Sequence, residues 1–220
     1  KNAVLVIMAS LLLAKGRSIL KNVPDSADVE QMIKLLVSLG AIVSFDKNTK
    51  ILEIDATSLE NYCIDHITMR KMRASVLVMG PLLARLGRIT FTYPGGCVIG
   101  ARPIDYHIKN FKRMGVLIHE EDSFLTAATS GLQAKRLVLE YPSVGATENL
   151  LMAGVLTPGT TQIINAALEP EVLDLITILK QMGADLTVEN ERIAGGEPIA
   201  DIRIRGSRTL KGIHMPEDQV

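Results

Sequence analysis

Three stretches of this chain set apolar residues at the same distances ahead of a glycine. They are Ser38-Leu39-Gly40-Ala41, Arg113-Met114-Gly115-Val116 and Gln181-Met182-Gly183-Ala184. The residue before the glycine is Leu39, Met114 or Met182. Four before it stand Leu36, Phe111 and Leu179, and seven before it Ile33, Ile108 and Ile176. Spacings of three and four mark one apolar face of a helix, and the glycine suits its C-terminal cap. These amphipathic helices are predicted to open at Asp28, Pro103 and Glu171.

A second series lies upstream. Leu11-Leu12-Leu13-Ala14-Lys15-Gly16, Leu82-Leu83-Ala84-Arg85-Leu86-Gly87 and Gly154-Val155-Leu156-Thr157-Pro158-Gly159 read as apolar helices running to a glycine. Short strands follow each, at Ser18-Ile19-Leu20, Ile89-Thr90-Phe91 and Gln162-Ile163-Ile164. Further strands follow the amphipathic helices: 42–45 with 51–54, then 116–118 with 124–126 and 137–139, then 186–188 with 202–204. The pattern predicts three copies of a unit of roughly 70 residues, each reading helix, strand, helix, strand pair. The repeats fall roughly at residues 1–65, 66–141 and 142–212. With one wholly apolar helix per copy, the packing that buries most places helices inside and sheets outside. The expected fold is a single α/β domain over residues 1–220, with pseudo-threefold symmetry.

The cap glycines also locate an irregularity. Gly16 to Gly40 and Gly159 to Gly183 are both 24 residues, whereas Gly87 to Gly115 is 28. The second copy therefore carries four extra residues, within Pro94 to Gly100. That loop reads Pro94-Gly95-Gly96-Cys97-Val98-Ile99-Gly100-Ala101-Arg102-Pro103, with Arg102 five residues after the thiol. A lone cysteine is more often a small buried hydrophobe. This one is flanked by glycines outside any apolar run. A guanidinium and a helix N-terminus close behind lower a cysteine's pKa and make it chemically useful. An extra loop on a rigid scaffold is where chemistry is commonly placed.

Composition narrows the partners. Net charge is +0 and aromatic residues are 4%, which argues against bulk nucleic-acid or acidic-membrane binding and against base-stacking platforms. A hydrophobic content of 47% with 22% charge describes a globular chain with a substantial core. Two cysteines, Cys63 and Cys97, make no metal cluster and fit a reducing, cytoplasmic setting. The apolar run Ala3 to Ala14 is shorter than the about 20 residues a membrane span needs, so it reads as a core helix. A first residue of Lys1 rather than Met is expected of a piece of a longer protein.

On Lys1-Asn2-Ala3, Met72-Arg73-Ala74-Ser75, Gly80-Pro81-Leu82, Pro94-Gly95-Gly96-Cys97, Ile99-Gly100-Ala101-Arg102-Pro103, Ser143-Val144-Gly145-Ala146-Thr147 and Gly159-Thr160-Thr161, the chain resembles the UDP-N-acetylglucosamine enolpyruvyl transferases. These are also called UDP-N-acetylglucosamine 1-carboxyvinyltransferases. The resemblance runs over the whole chain. It implies one of the two inside-out α/β barrel domains of that family, with residues 213–220 beginning the interdomain hinge and the partner domain absent. The enolpyruvylshikimate phosphate synthases share that fold without the Gly-Gly-Cys loop. A shikimate-pathway relative and a catalytically silent ligand-binding paralogue are the alternatives.

The resemblance implies transfer of the enolpyruvyl group of phosphoenolpyruvate to the 3'-hydroxyl of UDP-N-acetylglucosamine, releasing phosphate. This is the first committed step of bacterial peptidoglycan synthesis. It implies no cofactor and no metal. Cys97 matches the family's general acid, which fosfomycin alkylates. Lys1, Asn2 and Arg102 match contacts to phosphoenolpyruvate. Arg73, Arg102, Pro103, Ile104, Asp105, Tyr106, Tyr141, Pro142, Ser143 and Val144 match contacts to the sugar nucleotide. Tyr141 stands where many members carry a basic residue, and Glu148-Asn149 follows one of two bacterial subtypes. His107, on the helix behind the loop, reads as structural. The other domain supplies an aspartate for the hydroxyl proton and further arginines, so these residues alone are expected to fold without turning over.

Overall fold

The computed structural model describes residues 2–64, 73–92, 104–121, 124–192, 198–207 and 209–214. In chain order the helices are α1 (Asn2–Ser10), α2 (Ala27–Ser38), α3 (Met79–Leu86), α4 (Asp105–Arg113), α5 (Val144–Gly154) and α6 (Pro170–Gln181). A 3-10 turn at Leu11–Leu13 extends α1, and another at Arg73–Val78 leads into α3. The strands are β1 (Arg17–Leu20), β2 (Ile42–Asp46), β3 (Ile51–Asp55), β4 (Cys63–Ile64), β5 (Arg88–Thr92), β6 (Leu117–Glu121), β7 (Phe124–Ala128), β8 (Arg136–Val138), β9 (Gly159–Ile164), β10 (Asp185–Arg192) and β11 (Pro198–Gly206).

The described strands form three sheets, ordered β1-β3-β2, β4-β5-β7-β6 and β8-β9-β11-β10. Each holds an antiparallel trio from one copy of the repeat. The helices pack inward. Every residue of α5 from Ala146 to Gly154 is buried, as are Val4 to Ser10 of α1 and Met79 to Leu83 of α3. The amphipathic helices bury one stripe each: Val29, Met32, Leu35 and Leu36 in α2, Ile108 and Phe111 in α4, and Val172, Leu175, Ile176 and Leu179 in α6. Removing these side chains from water is the main force that holds the inner layer.

The six aligned glycines, Gly16, Gly40, Gly87, Gly115, Gly159 and Gly183, all have positive φ, between 69° and 138°. Three helix ends share one hydrogen-bond pattern. The N–H after the glycine reaches back five residues, from Ala41 to Leu36 O, Val116 to Phe111 O and Ala184 to Leu179 O, at 3.0, 3.0 and 2.9 Å. That closure needs the left-handed residue which glycine supplies at least cost.

Two expectations are corrected. Residues 136–138 do not extend the second sheet. β8 runs parallel to β9 in the third, because its partner is set across space rather than by order along the chain. Likewise β4 runs parallel to β5. Each unit is therefore entered by a parallel strand before its apolar helix. The first sheet receives that strand from the far end of the chain, where Ile19 bridges His214. One bond recurs three residues past each of Gly16, Gly87 and Gly159: Ile19 N–H to Ile213 O (2.7 Å), Thr90 N–H to Tyr62 O (2.9 Å) and Gln162 N–H to Lys135 O (3.0 Å). The second correction concerns helix bounds. α5 stops at Gly154, so residues 155–158 form the turn into β9 rather than helix. α2 opens at Ala27 under a Ser26 cap, α4 at Asp105, and α6 at Pro170.

Candidate active site

Two helix N-termini meet, those of α4 and α5. α5 opens after Tyr141-Pro142-Ser143. The Ser143 hydroxyl accepts from Ala146 N–H at 3.4 Å, and the Ser143 carbonyl accepts from Thr147 N–H at 2.9 Å. The Ser143 N–H donates to Tyr141 O at 2.7 Å, which turns the chain sharply into the helix. Val144 then begins the helix, and the opening N–H groups present partial positive charge. α4 opens beside it, with Ile104 half-buried at its N-cap, Asp105 exposed in its first turn and Tyr106 half-buried.

His107 joins the two openings. Its Nε2 lies so near Gly145 that a Cβ there would sit 3.3 Å away. The imidazole is 8% exposed and its Nδ1 has no hydrogen-bond partner among the described residues. Burial pushes its pKa down to about 4, opposed by a hydrogen bond with the Gly145 backbone, so it is neutral near pH 7. The flanking segment is tied to α4 as well. Lys109 pairs with Glu140, holding the Glu140 carboxyl below its usual range, and Arg113 Nη1 reaches Val138 O at 3.5 Å. Asn165 Nδ2 donates to Leu139 O at 2.9 Å from the other side. Tyr141, 62% exposed, and Pro142 stand at the rim.

The structure thus brings Ile104, Asp105, Tyr106, Ser143 and Val144 to one place, with Tyr141 and Pro142 at its edge. Lys1, Cys97, Arg102 and Pro103 lie outside the described residues, as does the four-residue insertion. Of Asn2 and Arg73 only the main chain is described. Asn2 begins α1, and Arg73 begins the 3-10 turn ahead of α3. Cys63 is an exposed free thiol on β4.

Sequence reasoning took Glu148-Asn149, in one turn of α5, only as subtype variation. Thr147 Oγ1 accepts from Ala167 N–H at 3.0 Å, and Asn149 bridges two helices. Glu148 is 5% exposed. Burial first, then Glu171 and Glu169, push its pKa up to about 8. The signal available in the sequence was three adjacent polar residues inside an otherwise apolar helix. Among the described residues no group of His, Cys, Asp or Glu is arranged to hold a metal ion, and no helix is long and apolar enough to cross a membrane.

The architecture is that of an enolpyruvyl transferase domain. The crystal structure of the enolpyruvyl transferase NikO from Streptomyces tendae matches with a TM-score of 0.80 at 20% identity, over 97% of this chain and 48% of that one. An EPSP synthase structure from Acinetobacter baumannii matches with a TM-score of 0.58 at 24% identity, over 98% of this chain and 65% of its own. A family profile described as EPSP synthase (3-phosphoshikimate 1-carboxyvinyltransferase) covers residues 1–218, and the chain belongs to that family. Within it, the chain is 49% identical over 199 residues to a protein named UDP-N-acetylglucosamine 1-carboxyvinyltransferase from Wolbachia pipientis subsp. Culex pipiens (strain wPip), covering 88% of this chain and 47% of the relative. It is 44% identical over 215 residues to UDP-N-acetylglucosamine 1-carboxyvinyltransferase 2 of Staphylococcus saprophyticus, covering 97% and 49%. The chain spans about half the length of these curated relatives.

Proposed function

We propose that the full-length protein containing this chain transfers the enolpyruvyl group of phosphoenolpyruvate to the 3'-hydroxyl of UDP-N-acetylglucosamine and releases phosphate, in the cytoplasm, as a step of peptidoglycan synthesis. What carries the reading is the 49% identity, over 88% of this chain, to a relative bearing that name. The paired helix openings support it, because N–H groups at helix N-termini suit the diphosphate of a sugar nucleotide.

In this reading residues 1–220 are a single domain, with 213–220 leading into the hinge to a second. The Ser143–Val144 turn and the α4 opening at Ile104, Asp105 and Tyr106 hold UDP-N-acetylglucosamine, with Tyr141 and Pro142 flanking it. Arg73, Arg102 and Pro103 complete that site. Lys1, Asn2 and Arg102 hold phosphoenolpyruvate, whose phosphate and carboxylate suit guanidinium and ammonium groups. The Cys97 thiol gives its proton to C3 of phosphoenolpyruvate, leaving positive charge at C2. The sugar hydroxyl adds there and gives its proton to a base on the second domain. Loss of a proton from C3 and departure of phosphate then restore the enol ether. A group that protonates carbon must hold its proton until the transition state, so the reactive form of Cys97 for this step is the thiol.

The test is phosphate release by the full-length protein from phosphoenolpyruvate with UDP-N-acetylglucosamine, set beside shikimate 3-phosphate as acceptor. Release with the sugar nucleotide alone is expected. Release with the shikimate acceptor instead, or with neither, overturns the reading. Residues 1–220 by themselves are expected to release none.

A further inference from the structure

Asn149 makes two hydrogen bonds that join the starts of two helices. Its Nδ2 donates to Gly145 O at 3.1 Å, in the first turn of its own helix, α5. Its Oδ1 accepts the N–H of Gly80 at 2.8 Å, in the first turn of α3. α3 has no cap of its own, since Val78 at its N-cap position offers no side-chain bond. An asparagine 69 residues away does the capping in its place. The side chain is fully buried, so neither bond exchanges freely with water. The helices cross here at backbone contact. A Cβ on Gly80 would lie 2.3 Å from Asn149 O, which fixes how near the two helix starts come.

The joined segments are two of those that carry proposed contacts to the sugar nucleotide, Arg73 ahead of α3 and Ser143–Val144 at the start of α5. Just upstream of Gly145 is the cap Ser143, and Gly145 itself lies against His107; upstream of Gly80 is the turn that Arg73 opens. We propose that Asn149 is a positioning residue for UDP-N-acetylglucosamine: it sets the α3 opening, and with it Arg73, against the Ser143–Gly145 opening of α5. The inference rests on the function proposed above. A carboxamide suits this because it donates and accepts in one rigid plane, one group for each helix. Displacing either opening by part of an ångström weakens nucleotide binding without touching the proton donor, which lies on another loop.

The experiment uses the full-length protein and the variants Asn149→Ala and Asn149→Asp, with KM for each substrate, kcat and the melting temperature measured together. For Asn149→Ala the KM for UDP-N-acetylglucosamine is expected to rise about tenfold or more, with kcat and the KM for phosphoenolpyruvate within about threefold of wild type. Asn149→Asp keeps the acceptor for Gly80 and regains a donor for Gly145 O only when protonated. Its KM for the sugar nucleotide, relative to wild type at the same pH, is expected to fall as pH is lowered from 8 to about 5. A lower melting temperature with an unchanged KM for the nucleotide, or an equal rise in both KM values, overturns the proposal. If Asn149→Ala does not fold, the pH dependence of Asn149→Asp decides alone, and its absence overturns the proposal. If the wild-type protein does not use UDP-N-acetylglucosamine at all, the functional reading fails first and the inference falls with it.

Discussion

The guanidinium of Arg85, near the end of α3, donates to the main-chain carbonyl of Ala14 at 2.9 Å, beyond the end of α1. The same Nη1 reaches Leu12 O at 2.7 Å, and Nη2 reaches Ala56 O at 3.2 Å. One half-buried cation thus satisfies carbonyls in two connections of the first repeat from a helix of the second. Burial lowers its pKa. Positive charge at the C-terminal end of a helix also complements its dipole.

Arg85→Met keeps most of the stem's packing and removes these donors. The three carbonyls are then left without their partner. Loss of charge-assisted bonds of this kind costs about 2–3 kcal/mol. Thermal melting of the variant is expected several degrees below wild type. Arg85→Lys is expected to recover only part of the loss, since one ammonium cannot span the three acceptors in the guanidinium plane.

Two buried titratable groups give stability opposite slopes with pH. The carboxyl of Glu148 is raised from 4.5 to about 8 in the folded protein. Its stabilising contribution is therefore complete below about pH 4.5 and is lost as pH rises through about 8. Glu148→Gln should melt with wild type near pH 5 and above it at pH 9. The imidazole of His107 is lowered from 6.5 to about 4. Its contribution is present above pH 6.5 and lost as pH falls through about 4. His107→Gln should flatten the decline in melting temperature between pH 6.5 and 4. Melting curves over pH 4 to 9 check both.

Gly40 and Gly183 close equivalent helices with φ of 102° and 98°. Backbone strain alone sets the cost of Gly183→Ala, because a Cβ there meets nothing within 4 Å. That cost is about 1–3 kcal/mol. At Gly40 the Cβ would also come within 2.8 Å of Ser58 O. Gly40→Ala is expected to be the more destabilising, and denaturation midpoints of the two variants give the comparison. Equal midpoints would mean that the loop at Ser58 yields without cost.

The repeat was legible because its markers are local. A glycine at positive φ and the apolar residues one, four and seven places before it are dictated by the helix end itself. Leu39, Met114 and Met182 are all fully buried, as are Leu36, Phe111 and Leu179. The parallel pairing of β8 with β9 was not legible. Its register, Arg136 with Gln162 through Val138 with Ile164, is decided by tertiary closure, and nothing within the three residues states it. Nor were Arg85, Asn149 and Glu148. A polar residue in an apolar helix signals that a partner exists, but the partner lies 69 residues away for Asn149 and 71 for the Arg85–Ala14 contact. The alignment of glycines did expose the four-residue insertion in the second repeat, by subtraction alone.

The central claim is that the thiol in that insertion does the chemistry. The most direct measurement is mass spectrometry of peptides from the full-length protein after fosfomycin treatment, with and without UDP-N-acetylglucosamine. The account predicts one adduct, on Cys97, formed faster with the sugar nucleotide present, and none on the exposed Cys63. An adduct on Cys63 instead, or an unmodified Cys97 at saturating nucleotide, would contradict it.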